Sequence, residues 1–255
     1  MRATRYFTVL SLNSGPDDVL KKLLAISDHV AAEEAVKLEQ TYAQYKKINK
    51  FETKSGLGLK PRVYSFNQLR EELEQRDGKR FCDFYDQVYD EIAGQIASGS
   101  TNYPDGTIKL MEKVLDFAGF TDPVVVVAFA PPYYPAVNGN MVSGKEFFAT
   151  KAYDIVAGLS AEEGQPVSYQ NFFMGISDNS YTAVTAGDGG NRDFAAAAPL
   201  WGQVYTIDFD SIKKINVPAV IYGPIGKEYH KWSERVNKKS LLDTVPRVTR
   251  ELIKQ

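Results

Sequence analysis

Cysteine is almost absent from this 255-residue chain, with Cys82 standing alone. No internal disulfide framework and no cysteine-based zinc knuckle can be built, so a reducing cytoplasm is the expected setting. Cys82, within Phe81-Cys82-Asp83-Phe84-Tyr85, is expected to be a small half-buried residue. Histidine is scarce too, with only His29 and His230, whereas a hydrolytic zinc site needs about three protein ligands. Neither a His-x-Asp pair nor a Glu-Glu pair on an apolar strand is present to supply the rest. Charge of one sign is also lacking: 30 Lys and Arg face 32 Asp and Glu, a formal charge of -2. That balance argues against nucleic acid or an acidic membrane as partner. No apolar run approaches membrane-spanning length, and the one near the N-terminus is too short for a signal-peptide core.

What is present reads as alternating helix and strand, the order of an α/β protein. Residues 6–12 alternate like a strand almost directly after Met1, which hints at a chain that begins inside a domain. Asn13-Ser14-Gly15-Pro16-Asp17-Asp18 is a turn and a helix start, with proline early and acids in the first turn. Leu20, Leu23, Leu24, Val30, Ala35, Leu38 and Tyr42 then keep helical spacing to about Ile48. Residues 62–65 predict a short extended piece before a helix capped by Ser65 or Asn67. Further helices are expected over 79–96 and 105–119, with a loop between. The valine run 123–130 reads as a buried strand, and Pro131-Pro132-Tyr133-Tyr134-Pro135 as a rigid connector. Beyond it, a helix over 144–159, strands over 166–173 and 217–222, and a closing helix over 240–254 are expected. No internal repeat is evident.

Three stretches could carry chemistry. The loop after the strand at 217–222 places His230 in a Gly/Pro-rich setting, and loops leaving strand ends commonly bear function. His230 is a candidate metal ligand, with Glu234 one helical turn on as a carboxylate that orients the imidazole. The alternative is an exposed histidine, with Glu234 paired to Lys231 or Lys238. Phe172-Phe173-Met174-Gly175-Ile176-Ser177-Asp178 is a strand end turning through glycine into small polar groups. Gly175, Ser177 and Asp178 could border a substrate, or Ser177 could simply be a helix cap. Asp188-Gly189-Gly190-Asn191-Arg192 lacks the spacing and the Lys-Ser/Thr of a phosphate loop and reads as a surface loop. His29 reads as a helix-face residue.

The order Gly175-Ile176-Ser177-Asp178, Pro199-Leu200-Trp201-Gly202, the run from Val217 to Gly226, His230-Lys231-Trp232-Ser233-Glu234-Arg235-Val236 and Thr244-Val245-Pro246-Arg247 resembles the C-terminal half of RocB-like arginine-utilisation proteins. These form a branch of the zinc aminoacylase/carboxypeptidase family of metallopeptidases. The resemblance covers nearly the whole chain and is most specific from Phe172 to Pro246. It implies part of a dizinc peptidase or amidohydrolase acting on a small peptide or acyl-amino acid. Residues 1–137 would be the later part of an α/β lid, enlarged by a helical insertion, that makes a homodimer contact. Residues 138–255 would be the C-terminal part of the catalytic domain. The resemblance places His230 on the last zinc ligand, and Gly175, Ser177 and Asp178 on the substrate loop. The other zinc ligands and the general-base glutamate of that family precede the lid and have no counterpart here. Asn13 stands where many members carry an arginine for the substrate carboxylate. A non-catalytic reading also follows: a truncated or split relative, acting as a dimerisation or binding module or joined to a separate metal-binding half.

Overall fold

The computed structural model describes residues 3–10, 14–50, 55–135, 139–162, 164, 167–173, 175–184 and 190–254. Helix α1 (Pro16–Ile48) begins where proline and two acids predict it, and the Gly15 N–H donates to the Asp18 carboxylate at 3.3 Å. Strand β1 (Arg62–Ser65) runs directly into α2 (Phe66–Asp77) through a reciprocal cap. The Ser65 hydroxyl accepts from the Gln68 N–H, while the Gln68 side chain accepts from the Ser65 N–H at 2.8 Å. Helix α3 (Lys79–Ala97) follows, then α4 (Tyr103–Ala118), capped by Asn102 at its start and ended by Gly119 at φ 64. Strand β2 (Val124–Val127) pairs parallel with β1, Arg62 opposite Val124 through Ser65 opposite Val127. These elements form where patterning and caps agree.

The chain divides into two compact units. The first, here the helical unit, comprises mainly Ser14–Tyr133 with Gly189–Ile207; the second, the arm-bearing unit, mainly Tyr134–Asp188 with Asp208–Gln255. The core of the helical unit is made by α2, α3 and α4. Leu69 and Leu73 meet Phe81, Val88 and Ile92, and Leu110, Val114 and Ala118 close the cluster with Leu200. Each set repeats at helical spacing, which puts it on one face. Gly106 lets α4 approach α3, since a Cβ there would lie 3.0 Å from Ile96 Cδ1 and 3.2 Å from Ile92 Cγ2.

Leu200 reaches that core from far along the chain, held by two tyrosines of α3. The Tyr85 hydroxyl donates to the Pro199 carbonyl at 3.0 Å. The Tyr89 hydroxyl donates to the Leu200 carbonyl at 3.3 Å and accepts from the Val204 N–H at 3.1 Å. Burial pushes the Tyr85 phenol up to about 12, so it remains a donor. Helix α6 (Gly190–Ala197) leads into this segment, and its Phe194 ring stacks on Tyr133 with centroids 4.4 Å apart.

In the arm-bearing unit, α5 (Phe148–Glu162) packs its Ala149, Ala152 and Val156 inward, and α8 (Val245–Ile253) buries Val248. Arg247 and Glu162 join these two helices at 2.8 Å. Helix α7 (Phe209–Ile215) is capped by Asp208, whose carboxylate is held below its usual range by the Ser211 hydroxyl and N–H.

Several expectations are corrected. Residues 6–10 of the predicted strand 6–12 join no ladder, and Tyr6 and Phe7 are exposed; residues 11–13, Asn13 among them, lie outside the described residues. Residues 167–173 are likewise not a strand, and 217–222 runs without a ladder. Alternation marks a face, but a strand also needs a neighbour for its backbone groups. The surface loop expected through Arg192 is helical from Gly190; Asp188 and Gly189 lie outside the described residues. Cys82 is exposed, not half-buried, because its neighbour Phe81 occupies the inward face of α3.

Candidate functional site

Residues 223–240 form a projecting arm around His230. Strands β3 (Gly226–Lys227) and β4 (Arg235–Val236) pair antiparallel, Gly226 opposite Val236 and Lys227 opposite Arg235. The base is locked from below. Buried Ser240 accepts the Ile225 N–H at 2.9 Å, the Asn237 N–H donates to the Ile225 carbonyl at 2.8 Å, and the Asn237 side chain accepts the Ser240 N–H. Glycine is required at 226, where a Cβ would lie 2.9 Å from the Arg235 carbonyl oxygen and 2.8 Å from the Tyr229 ring. The Tyr229 hydroxyl takes the freed space and accepts the Gly226 N–H at 2.9 Å.

Between the strands the backbone turns sharply. Glu228 and His230 both sit at φ 59, the left-handed region that non-glycine residues enter at a cost of about 1 kcal/mol or more. Hydrogen bonds hold them there. The Lys231 N–H donates to the Glu228 carbonyl, and the Glu234 N–H to the Lys231 carbonyl, both at 3.0 Å. Glu234 sits beside His230 as its spacing suggests, yet its carboxylate accepts from the His230 backbone N–H at 3.1 Å. Arg235 pairs with Glu228 at 3.2 Å. His230 itself is exposed.

The described residues contain no group of three or more His, Cys, Asp or Glu side chains placed to hold a metal ion. One exposed imidazole, with the adjacent carboxylate engaged by main chain, is too small a donor set for zinc. The residues described do not fit a complete zinc site, and no metal-assisted step follows from them.

The second candidate lies on the loop 175–184. Ser177 caps a single 3-10 turn, Asp178–Tyr181, its hydroxyl accepting the Asn179 N–H at 3.2 Å. Asp178 is exposed and Ser177 half-buried. Gly175 packs under Phe173, whose ring a Cβ would meet at 2.8 Å. The loop is fixed at its far end, where buried Ala183 follows Thr182 and the Thr182 carbonyl accepts the Val217 N–H at 2.9 Å. Segment 217–222 thus passes this loop through one backbone bond instead of a strand ladder. Lys145 adds a tie to the Asn216 carbonyl at 2.8 Å. His29 lies on α1, with its Nε2 3.4 Å from Glu33.

Sequence reasoning singled out His230 and missed what surrounds it. Trp232, two residues away, has a relative exposure of 106%. The available signal was a lone indole in a run of Lys, Ser, Glu and Arg, where no apolar periodicity calls for burial. Ser240 under the arm carried no signal, because its partner is fifteen residues away.

Among the described residues, no helix is long and apolar enough to cross a membrane. No family profile matches the chain, and no solved structure matches it. Two curated proteins of Bacillus subtilis (strain 168) do. Uncharacterized protein YqjN is 21% identical over 252 residues, covering 96% of this chain and 42% of YqjN. Protein RocB is 25% identical over 244 residues, covering 94% of this chain and 41% of RocB. The chain therefore spans about two-fifths of the length of these relatives and is RocB-like across nearly all of its own length.

Proposed function

We propose that this chain is a portion of a RocB-like, metal-dependent peptidase or amidohydrolase, and that most of the metal-binding groups belong to a part of such a protein outside these residues. The observation that carries this reading is the asymmetry of the match: 94% of this chain aligns with only 41% of RocB. The family resemblance supplies the reaction class, and the small donor set around His230 agrees with an incomplete centre. In this reading His230 contributes one imidazole to a shared site. Gly175, Ser177 and Asp178 border a small peptide or acyl-amino-acid substrate, with arginine-derived compounds among the first to try. The region before about residue 137 is lid-like and supplies a dimer contact, which light scattering of the purified chain addresses.

The test has two arms. The chain alone, incubated with zinc and a panel of N-acyl amino acids and dipeptides, is expected to bind less than one equivalent of metal and to show no turnover. Zinc-dependent hydrolysis by the chain alone would overturn the reading. Extending the chain with the unmatched portion of a RocB-like protein is expected to give hydrolysis that His230→Ala removes. An extended protein that folds, binds zinc and loses nothing on that substitution would also count against it.

A further inference from the structure

Trp232 is the most exposed large apolar side chain of the described residues, at 106%. Tryptophan is seldom left in water, and at protein surfaces it is concentrated in interfaces, where it fills a pocket on the partner. It does not stand alone here. Tyr229 is 58% exposed, and Val236 and Ile225 also face solvent. The arm is nonetheless rigidly built: the bonds from Ser240, Asn237 and the Tyr229 hydroxyl fix its base, and two non-glycine residues are held at positive φ. A preformed turn presenting an indole loses little conformational entropy on binding.

Charge selects the partner. Over 226–239 the arm carries Lys227, Lys231, Arg235, Lys238 and Lys239 against Glu228 and Glu234, although the chain as a whole carries -2. Local positive charge beside an exposed aromatic suits an acidic polypeptide surface with an apolar recess. The interspersed Glu228 and Glu234 disfavour a phosphate-dense polyanion, for which unbroken basic patches are the usual footprint. We propose that residues 226–239 form a protein-docking arm. Trp232 is its anchor, and its partner is an acidic polypeptide segment that receives the indole in an apolar recess. This does not depend on the hydrolase reading, since it invokes neither the imidazole of His230 nor a metal.

The two tryptophans of the chain, Trp201 and Trp232, make the test direct. In a Trp201→Phe variant the remaining indole reports on the arm. Titration with a random glutamate–tyrosine copolymer is expected to give a saturable blue shift of its emission, weakened by salt. A lysine–tyrosine copolymer is expected to give none. Lys227→Glu with Lys231→Glu keeps the reporter and should reduce affinity by roughly tenfold. If Trp201→Phe does not fold by circular dichroism, calorimetry with the unaltered chain and Trp232→Ala replaces it. A loss of roughly tenfold or more is then expected, as for truncation of an aromatic anchor. The proposal is overturned by no binding of the acidic copolymer, by equal binding of the basic one, or by tighter binding of anionic phosphatidylglycerol vesicles or poly(U) at matched charge.

Discussion

The two units hold their shapes with different proportions of apolar packing and polar bonds. In the helical unit three helices pool Leu69, Leu73, Phe81, Val88, Ile92, Leu110 and Val114 into one apolar cluster, and aromatic rings extend it. Phe84 stacks on Phe117 with centroids 4.6 Å apart, and Phe81 meets the same ring at 5.4 Å. The arm-bearing unit buries mostly smaller side chains, Ala149, Ala152, Val156 and Val248, with Phe209 and Ile212 of α7 as its larger ones, and adds polar groups placed one by one: Ser240 under the arm, Asp208 on α7, Arg247 across to Glu162. An apolar cluster of that kind contributes several kcal/mol per large side chain, while a hydrogen bond contributes about 1. The difference teaches where each unit can vary: the first through volume, the second through single atoms.

That contrast sets the order of the expected effects. Phe81→Ala is expected to cost about 3–5 kcal/mol in denaturant unfolding of the helical unit, through lost transfer energy and a cavity that α2 and α4 cannot fully close. A cost under about 1 kcal/mol would show that the core repacks around the gap. Next in size is the alkaline behaviour. Tyr85 has a folded-state pKa raised by burial to about 12, and Tyr64 is raised by burial and its bond to Glu72. Each contribution is complete below the unfolded pKa near 10 and is lost as pH rises through the raised folded value; for Tyr85 that value is about 12 and the contribution about 3 kcal/mol. Tyr85→Phe should flatten that decline and cost about 1 kcal/mol at neutral pH for the lost bond to Pro199. Equal slopes in both proteins would assign the decline elsewhere.

Smaller changes sharpen the other side. Ser240→Ala is expected to cost about 1 kcal/mol, with faster amide exchange at Ile225 and little change in the α2–α4 amides. Exchange that accelerates equally in both units would erase the distinction between them. Asp208 works in the opposite pH direction: its lowered pKa contributes stability that is present above the ordinary carboxylate value and lost as pH falls through the lowered one. Trp232→Ala should be smallest of all, within about 0.5 kcal/mol of the unaltered chain, because an indole already in water has no burial to lose.

The helical unit was largely legible from its residues. Pro16 with two acids marks the start of α1 where expected, and of the two caps offered for α2, Ser65 and Asn67, it is Ser65 that caps, in a reciprocal pair with Gln68; the helix expected over 105–119 starts two residues earlier, at Tyr103, with Asn102 as its cap. Strands fared worse: β1 forms where Arg62-Val63 predicts it, and the valine run forms β2, though over 124–127 alone and half-buried, not buried over 123–130, while 6–10, 167–173 and 217–222 show strand-like patterns without ladders. Pairing is set by a distant segment, and apolar alternation cannot say whether one is there. The site follows the same rule. Gly226 and the turn at His230 were visible as a loop, whereas the carboxylate of Glu234 on the His230 N–H depends on a left-handed turn that residue spacing does not reveal.

Leu200 has a consequence for the order of events on the ribosome. It is fully buried among α2, α3 and α4, and the hydroxyl that grips its carbonyl belongs to Tyr89, 111 residues earlier. Helices α3 and α4 can meet as soon as both have left the exit tunnel, but their apolar surface keeps an open slot until the Pro199–Gly202 stretch is translated. At about 5–20 residues per second, that wait lasts several seconds. During that interval the apolar faces of α2, α3 and α4 around the slot stay open to water.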